Sequence, residues 1–203
     1  MKIGWVLGWA VPETWFAPLA RAAVPAAEHV MVTPTADAVT RLEARGPFDW
    51  VVGYSLGTHL LLHDHARVSR LGKVALLAPI FAFPREAELG GRIAKTQVRQ
   101  LARWVRREPS AALADFYQRA GLDIFAETAA MQPVAELSWG LERLENGHVA
   151  PPLPAGWRAW CGVNDALLDV DRLQAVAPGI ERVAAGTHHP EALLRAWSTE
   201  AVR

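Results

Sequence analysis

The sequence predicts an α/β protein with a mostly parallel sheet, helices on both of its faces, and a helical insertion over the sheet. Three observations predict it. Short runs that are apolar throughout, such as Ile3 to Leu7 and Val74 to Ala78, have the composition of strands buried on both faces. These runs alternate with segments of helical spacing, which makes the strands parallel and the helices their crossovers. The stretch from Asp49 to Leu62 passes from an apolar run through Gly53-Tyr54-Ser55-Leu56-Gly57 straight into Leu60, Leu61 and Leu62, as a buried strand does when it turns sharply into a helix.

In chain order, Lys2 to Leu7 is the first strand, and Gly8-Trp9-Ala10-Val11-Pro12 breaks it before a helix from about Thr14 to Ala23. His29 to Val32 is the second strand, stopped by Thr33-Pro34. Thr35 to Ala44 has helical spacing, with Ala38, Leu42 and Ala44 apolar and Asp37, Arg41 and Glu43 polar, and Gly46-Pro47 ends it. The third strand covers Phe48 to Val52, the serine turn follows, and a helix runs to about Val68. Lys73 to Ala78 is a strand stopped by Pro79. From Pro84 to about Val149 the alternation fails, leaving helical segments separated by Gly90-Gly91, Pro109, Gly121 and Pro133. Alternation resumes with a strand at Trp157 to Cys161, a helix near Val170 to Val176, a strand at Ile180 to Ala184 and a closing helix from Pro190 to Val202. The expected organisation is therefore a core of residues 1–83 and 150–203 and a helical lid of residues 84–149. The proline-rich run Ala150-Pro151-Pro152-Leu153-Pro154 is a stiff connector between them.

At 203 residues the chain fits one folding unit with a substantial core. Its 21 basic and 21 acidic side chains balance, which leaves no global field for nucleic acid or a membrane surface, and a monomer is expected. No apolar run approaches the roughly 18 residues of a membrane span, and Ile3-Gly4-Trp5-Val6-Leu7 is too short for a signal peptide, so a soluble, cytoplasmic protein is expected. The single cysteine, Cys161 between Trp160 and Gly162, cannot form an internal disulfide and reads as a small core residue at a strand end.

Ser55 in its Gly-x-Ser-x-Gly setting is a candidate nucleophile. A serine hydroxyl is a weak one, so it needs an imidazole to take its proton and a carboxylate to orient the imidazole. In this topology the expected order is serine, acid, histidine, each on a loop after a strand. Asp165 in Gly162-Val163-Asn164-Asp165 is the candidate acid, while Asp169 and Asp171 are placed to start and cap the next helix. Gly186-Thr187-His188-His189-Pro190 supplies the base. Only one of the adjacent histidines can face Ser55; His188 is preferred, with His189 as the alternative. Candidate oxyanion donors are the backbone amides of Leu56, directly after the nucleophile, and Trp9, where Gly8 lets the backbone approach. His59 and His63 share zinc-ligand spacing, but Leu60 stands where a zinc protease carries its glutamate. Those histidines read as polar groups on a helix face, and neither metal nor cofactor is expected.

On these residues the chain resembles the α/β-hydrolases, and within them the pimeloyl-acyl-carrier-protein methyl ester esterases of biotin synthesis. Leu7-Gly8-Trp9-Ala10 matches that family's His-Gly-Trp-Gly run, with Trp15 matching a second tryptophan. Gly53 to Thr58 is close to its Gly-Trp-Ser-Leu-Gly-Gly elbow. Gly140-Leu141-Glu142-Arg143-Leu144 matches a Gly-Leu-Glu-x-Leu lid segment, Gly162 to Asp165 its Gly-x-x-Asp, and His188-His189-Pro190 its His-Ala-Pro, which favours His188. Two departures stand out. The chain begins at the family's third strand, without the usual first hairpin, and Leu7 replaces a histidine that braces the oxyanion loop.

The resemblance implies a serine carboxylesterase with Ser55, His188 and Asp165 as its triad, acting on the methyl ester of pimeloyl-acyl carrier protein. A thioesterase, a small-ester hydrolase, an acyltransferase and a non-catalytic binding domain are the alternatives. In the lid, Arg92, Lys95, Arg99, Arg103, Arg106 and Arg107 follow one another with no intervening acid, at steps that place most of them on one helical face. Ala94, Val98, Leu101 and Val105 form the opposite apolar stripe. The ridge is either a solvated face or, as the resemblance implies, a dock for an acidic acyl carrier protein.

Overall fold

Six strands form one sheet in which every neighbouring pair runs parallel: β1 (Lys2–Val6), β2 (Glu28–Val32), β3 (Trp50–Tyr54), β4 (Lys73–Leu77), β5 (Arg158–Gly162) and β6 (Ile180–Val183), in the order β2-β1-β3-β4-β5-β6. This is a computed structural model that describes residues 1–125 and 132–201. The predicted helix end at Val202 and part of the predicted lid therefore lie outside the described residues.

Neighbouring residues of β1 show why the strand is apolar throughout. Trp5 packs edge-on against Phe16 of α1 (Glu13–Ala23) and Trp197 of α9 (Pro190–Ala201), at ring-centroid distances of 5.4 and 5.2 Å. Gly4, one residue earlier and so on the opposite face, lies under Leu42 of α2 (Ala38–Glu43) and Phe48. A polar side chain on either side would be buried without a partner. On the α2 face α3 (Leu56–His63) covers β1 and β3.

The chain leaves β1 for β2 on one side and returns to β3 on the other. The loops after β1 and β3 therefore diverge from adjacent strand ends, in register Val6 opposite Gly53, and leave a crevice at that switch point.

Some boundaries differ from the sequence reading. The third strand sits two residues later than predicted, ending at Tyr54. The helix after the serine breaks at Asp64 into α3 and the short α4 (His65–Val68). Between β4 and β5 stand three longer helices, α5 (Lys95–Arg107), α6 (Pro109–Ala120) and α7 (Val134–Asn146), with α5 packed on both others. Pro109 opens α6, where its missing N–H costs nothing, and Gly121 closes it at φ 68°. Val98 and Val105 of the predicted apolar stripe are buried. α8 (Val170–Val176) follows β5.

Candidate active site

β3 ends at Tyr54 and α3 begins at Leu56, so Ser55 alone reverses the chain. It does so at φ 52° and ψ −118°, a conformation that side-chain-bearing residues rarely adopt. Close approach of α3 to the sheet explains the flanking glycines: a Cβ on Gly57 would lie 2.0 Å from the Val6 carbonyl oxygen, and one on Gly53 2.9 Å from the Thr58 amide nitrogen. Thr58 braces the turn. Its hydroxyl donates to the Ser55 carbonyl at 2.6 Å and accepts the Ile80 N–H at 2.9 Å, tying the serine turn to the segment after β4. From sequence Thr58 is only the last residue of the elbow match; its bracing role is the backward bond that a threonine hydroxyl can make to a carbonyl three residues earlier.

The structure brings Ser55, His188 and Asp165 together. His188 Nε2 lies 3.0 Å from Ser55 Oγ, and His188 Nδ1 lies 2.8 Å from Asp165 Oδ2. A carboxylate oxygen can only accept, which assigns the imidazole proton to Nδ1 and leaves the Nε2 lone pair facing the serine hydroxyl. Asp165 is fixed by its other oxygen, which accepts the Leu167 and Leu168 amides at 2.8 and 3.0 Å. The His188 carbonyl accepts the Tyr54 hydroxyl at 2.7 Å. Ser55 is 8% exposed, His188 1% and Asp165 2%, so the hydrogen-bonded chain is largely screened from water. An imidazole held this way can take the serine proton as Oγ attacks an electrophilic carbon.

The neighbours with similar chemistry point elsewhere. His189 reaches Asp123 rather than Ser55. Asp169 caps α8 by accepting the Asp171 and Arg172 amides, and Asp171 pairs with Arg182. His59, read from sequence as a helix-face group, is buried: its Nδ1 faces the Ile80 carbonyl at 3.2 Å. Desolvation outweighs that bond and lowers its pKa to about 4, which keeps it neutral. A leucine-rich helix packed on both the sheet and the segment after β4 buries polar Thr58 and His59 along with its leucines, and only His63 at its end is exposed. His63 stands 3.6 Å from Asp64, and no group of potential metal ligands occurs among the described residues.

The amide of Leu56 is the first of α3 and so has no acceptor within the helix. On the facing loop the Val11 amide bonds the Gly8 carbonyl at 3.2 Å, closing a turn over Trp9 and Ala10, with Ala10 at φ 57°. The Trp9 side chain is committed to the helices above it. Its Nε1–H donates to the Leu137 carbonyl at 2.9 Å, and its ring stands edge-on to Phe116 at 4.6 Å. Tyr117, whose pKa burial pushes up to about 12, donates to the Ala10 carbonyl at 2.6 Å. Tyr117 thus ties the loop to α6. Leu7 is buried in the core.

A cavity of about 430 Å³ opens among α5, α6, α7 and the loop after β5. Val98, Leu101 and Trp104 line one wall, and its inner side is formed by Phe116, which touches Trp9, and Leu167, whose amide binds Asp165.

The basic ridge is shorter than the sequence suggests. Arg92 precedes α5 rather than lying on it, and it folds onto the core, donating to the Leu168 carbonyl at 2.8 Å with Asp169 at 3.8 Å. Arg99 pairs with Glu145 of α7 at 2.6 Å. Among the described residues, the side-chain cations of Lys95, Arg103 and Arg106 form no ion pair within 4.0 Å, although the Lys95 amide donates to the Glu86 carboxylate at 3.0 Å, and Arg107 lies at the cavity rim.

The sequence matches no protein-family profile and no curated protein. Solved structures do match. An esterase from Exiguobacterium antarcticum, EaEST, superposes with a TM-score of 0.78 at 10% identity, over 100% of this chain and 92% of that one. A thermophilic esterase from Thermogutta terrifontis gives 0.69 at 15% identity, over 100% and 88%. BioG from Haemophilus influenzae gives 0.57 at 15% identity, over 92% and 88%. At such identities the likeness is one of architecture. The parallel six-stranded sheet, the sharp serine turn after β3 and these superpositions together make the chain an α/β-hydrolase in fold.

Proposed function

We propose that the protein is a serine carboxylesterase. The observation that carries this reading is the unbroken hydrogen-bonded chain from Ser55 Oγ through His188 to Asp165, set on a strained turn. Ser55 Oγ attacks the ester carbonyl carbon while its proton passes to His188 Nε2. The resulting oxyanion is held by the amides of Trp9 and Leu56. The tetrahedral intermediate expels the alcohol, which takes the proton from His188 and leaves an acyl-serine. Water then attacks, gives its proton to His188, and releases the acid as Ser55 recovers the proton.

For the substrate, the reading is the methyl ester of a pimeloyl chain on an acyl carrier protein. Three features support it: the matches at Gly8 to Ala10, Gly53 to Thr58 and Gly140 to Leu144, the cavity among α5, α6 and α7 with Val98, Leu101, Trp104 and Phe116 in its lining, and the basic side chains of Lys95, Arg103 and Arg106 on α5. Growth without biotin of a bacterial auxotroph that lacks its own esterase, restored by this protein and not by its Ser55→Ala variant, is the expected result. Failure to restore growth, together with turnover of acyl thioesters in vitro, would replace the methyl ester reading with a thioesterase.

A further inference from the structure

Two histidines follow β6, and the second is engaged outside the reaction chain. His189 Nε2 donates to Asp123 Oδ1 at 3.1 Å, its Nδ1 accepts the Glu191 amide at 3.3 Å, and its ring stands edge-on to Trp15 at 5.2 Å. The same Asp123 oxygen accepts the Trp15 Nε1–H at 3.0 Å. Asp123 belongs to the segment that leaves α6, Trp15 to α1, and His189 to the loop that carries His188. Three separate elements therefore meet on one carboxylate beside the base.

We propose that Asp123, His189 and Trp15 form a latch that holds the α6 end of the lid closed over Ser55 and so sets the size of ester admitted. Its kinetic consequence rests on the esterase reading; the latch itself does not.

Ser55 and His188 are nearly buried, so a bulky ester must displace part of what covers them. α6 is fastened to the core by the buried Tyr117 to Ala10 bond and by the latch, whose Asp123 side chain is 75% exposed. Hydrogen bonds in contact with water contribute less than buried ones, which makes the latch the edge that opens first. Partial burial would raise the pKa of Asp123, but the bonds from His189 and Trp15 outweigh it and hold the carboxyl below its ordinary value. His188 does not depend on the latch for its place, since Tyr54 and Asp165 hold it independently. Opening therefore admits substrate without dismantling the site. If the closed form dominates, weakening it raises the fraction competent for large substrates in proportion.

The test compares wild type with Asp123→Ala and Asp123→Asn, since asparagine keeps an acceptor oxygen for both N–H groups. Hydrogen exchange at Gly121 and Leu122, whose amides bond the carbonyls of Gln118 and Tyr117, is expected to quicken about threefold to fivefold in the alanine variant and to stay near wild type in the asparagine variant. On p-nitrophenyl esters, the alanine variant should raise kcat/KM by a similar factor for the laurate and leave the acetate unchanged, with the gain appearing as a lower KM. Unchanged exchange in Asp123→Ala, equal exchange in both variants, or equal kinetic effects on both esters would each overturn the latch. If the wild type hydrolyses neither ester, the esterase reading falls while the exchange comparison still decides the latch.

Discussion

Replacing Gly140 by alanine sets two effects against each other. Within an exposed helix the change would stabilise by about 1 kcal/mol, because glycine loses more backbone freedom on folding. Position 140 lies on the buried side of α7, where a Cβ would stand 2.5 Å from Cδ1 of Trp9, 3.2 Å from its Nε1 and 3.2 Å from Cδ2 of Leu56. The indole cannot swing aside freely, since Nε1 donates to Leu137 and the ring abuts Phe116. Either α7 shifts or the bond to Leu137 breaks. Overpacking costs about 1–3 kcal/mol, and loss of the hydrogen bond adds about 1 kcal/mol. After the helical gain of about 1 kcal/mol the net is a destabilisation of about 2 kcal/mol. For a chain of this size that corresponds to a Tm lower by about 4–8 °C in a thermal melt followed by circular dichroism. Activity should fall as well, because the displaced loop carries the Trp9 amide proposed as an oxyanion donor. A variant at least as stable as wild type would show that helix propensity dominates and that Trp9 is not packed against α7.

Other outcomes follow from the same structure. Asp165→Asn keeps an oxygen for the Leu167 and Leu168 amides but turns an NH2 toward His188 Nδ1, forcing the wrong tautomer; kcat should fall by about 10³–10⁴-fold with the melt unchanged. His59, with a folded pKa of about 4 against an ordinary 6.5, resists a proton that the unfolded chain accepts. Its contribution is fully present above pH 6.5 and is lost as pH falls toward 4, on the order of 3 kcal/mol in all. Denaturant melts of His59→Gln should accordingly lose less stability than wild type across that window. Charge reversal at Arg103 and Arg106, which have no carboxylate partner among the described residues, should slow turnover of carrier-bound esters and spare small soluble ones. Equal losses on both would argue against carrier docking.

Much of the fold was legible because the physics that sets it is local. Strands β1, β3 and β4 are apolar on both faces, and Ser55, Asp165 and His188 each follow a strand, so the order along the chain places them on neighbouring loops. The members that were not legible act across long separations. Tyr54 holds the His188 carbonyl, Tyr117 the Ala10 carbonyl, and Asp123 meets both Trp15 and His189, with no motif joining any of these pairs. Choosing between His188 and His189 required knowing where each ring points. The ridge on α5 looked unbroken because its counter-charges, Glu145 and Asp169, arrive from other elements. His59 looked exposed because helical spacing does not reveal a segment packed over both faces of a helix.

The central claim is that Ser55 is a nucleophile activated by His188. A fluorophosphonate probe, which reacts only with an activated serine, tests it most directly when the modified peptide is mapped by mass spectrometry. The expected result is a phosphonyl group on Ser55 in the wild type, no labelling in Ser55→Ala, and much slower labelling in His188→Gln. Equal labelling of wild type and Ser55→Ala, or a wild type inert to the probe while fully folded, would contradict it.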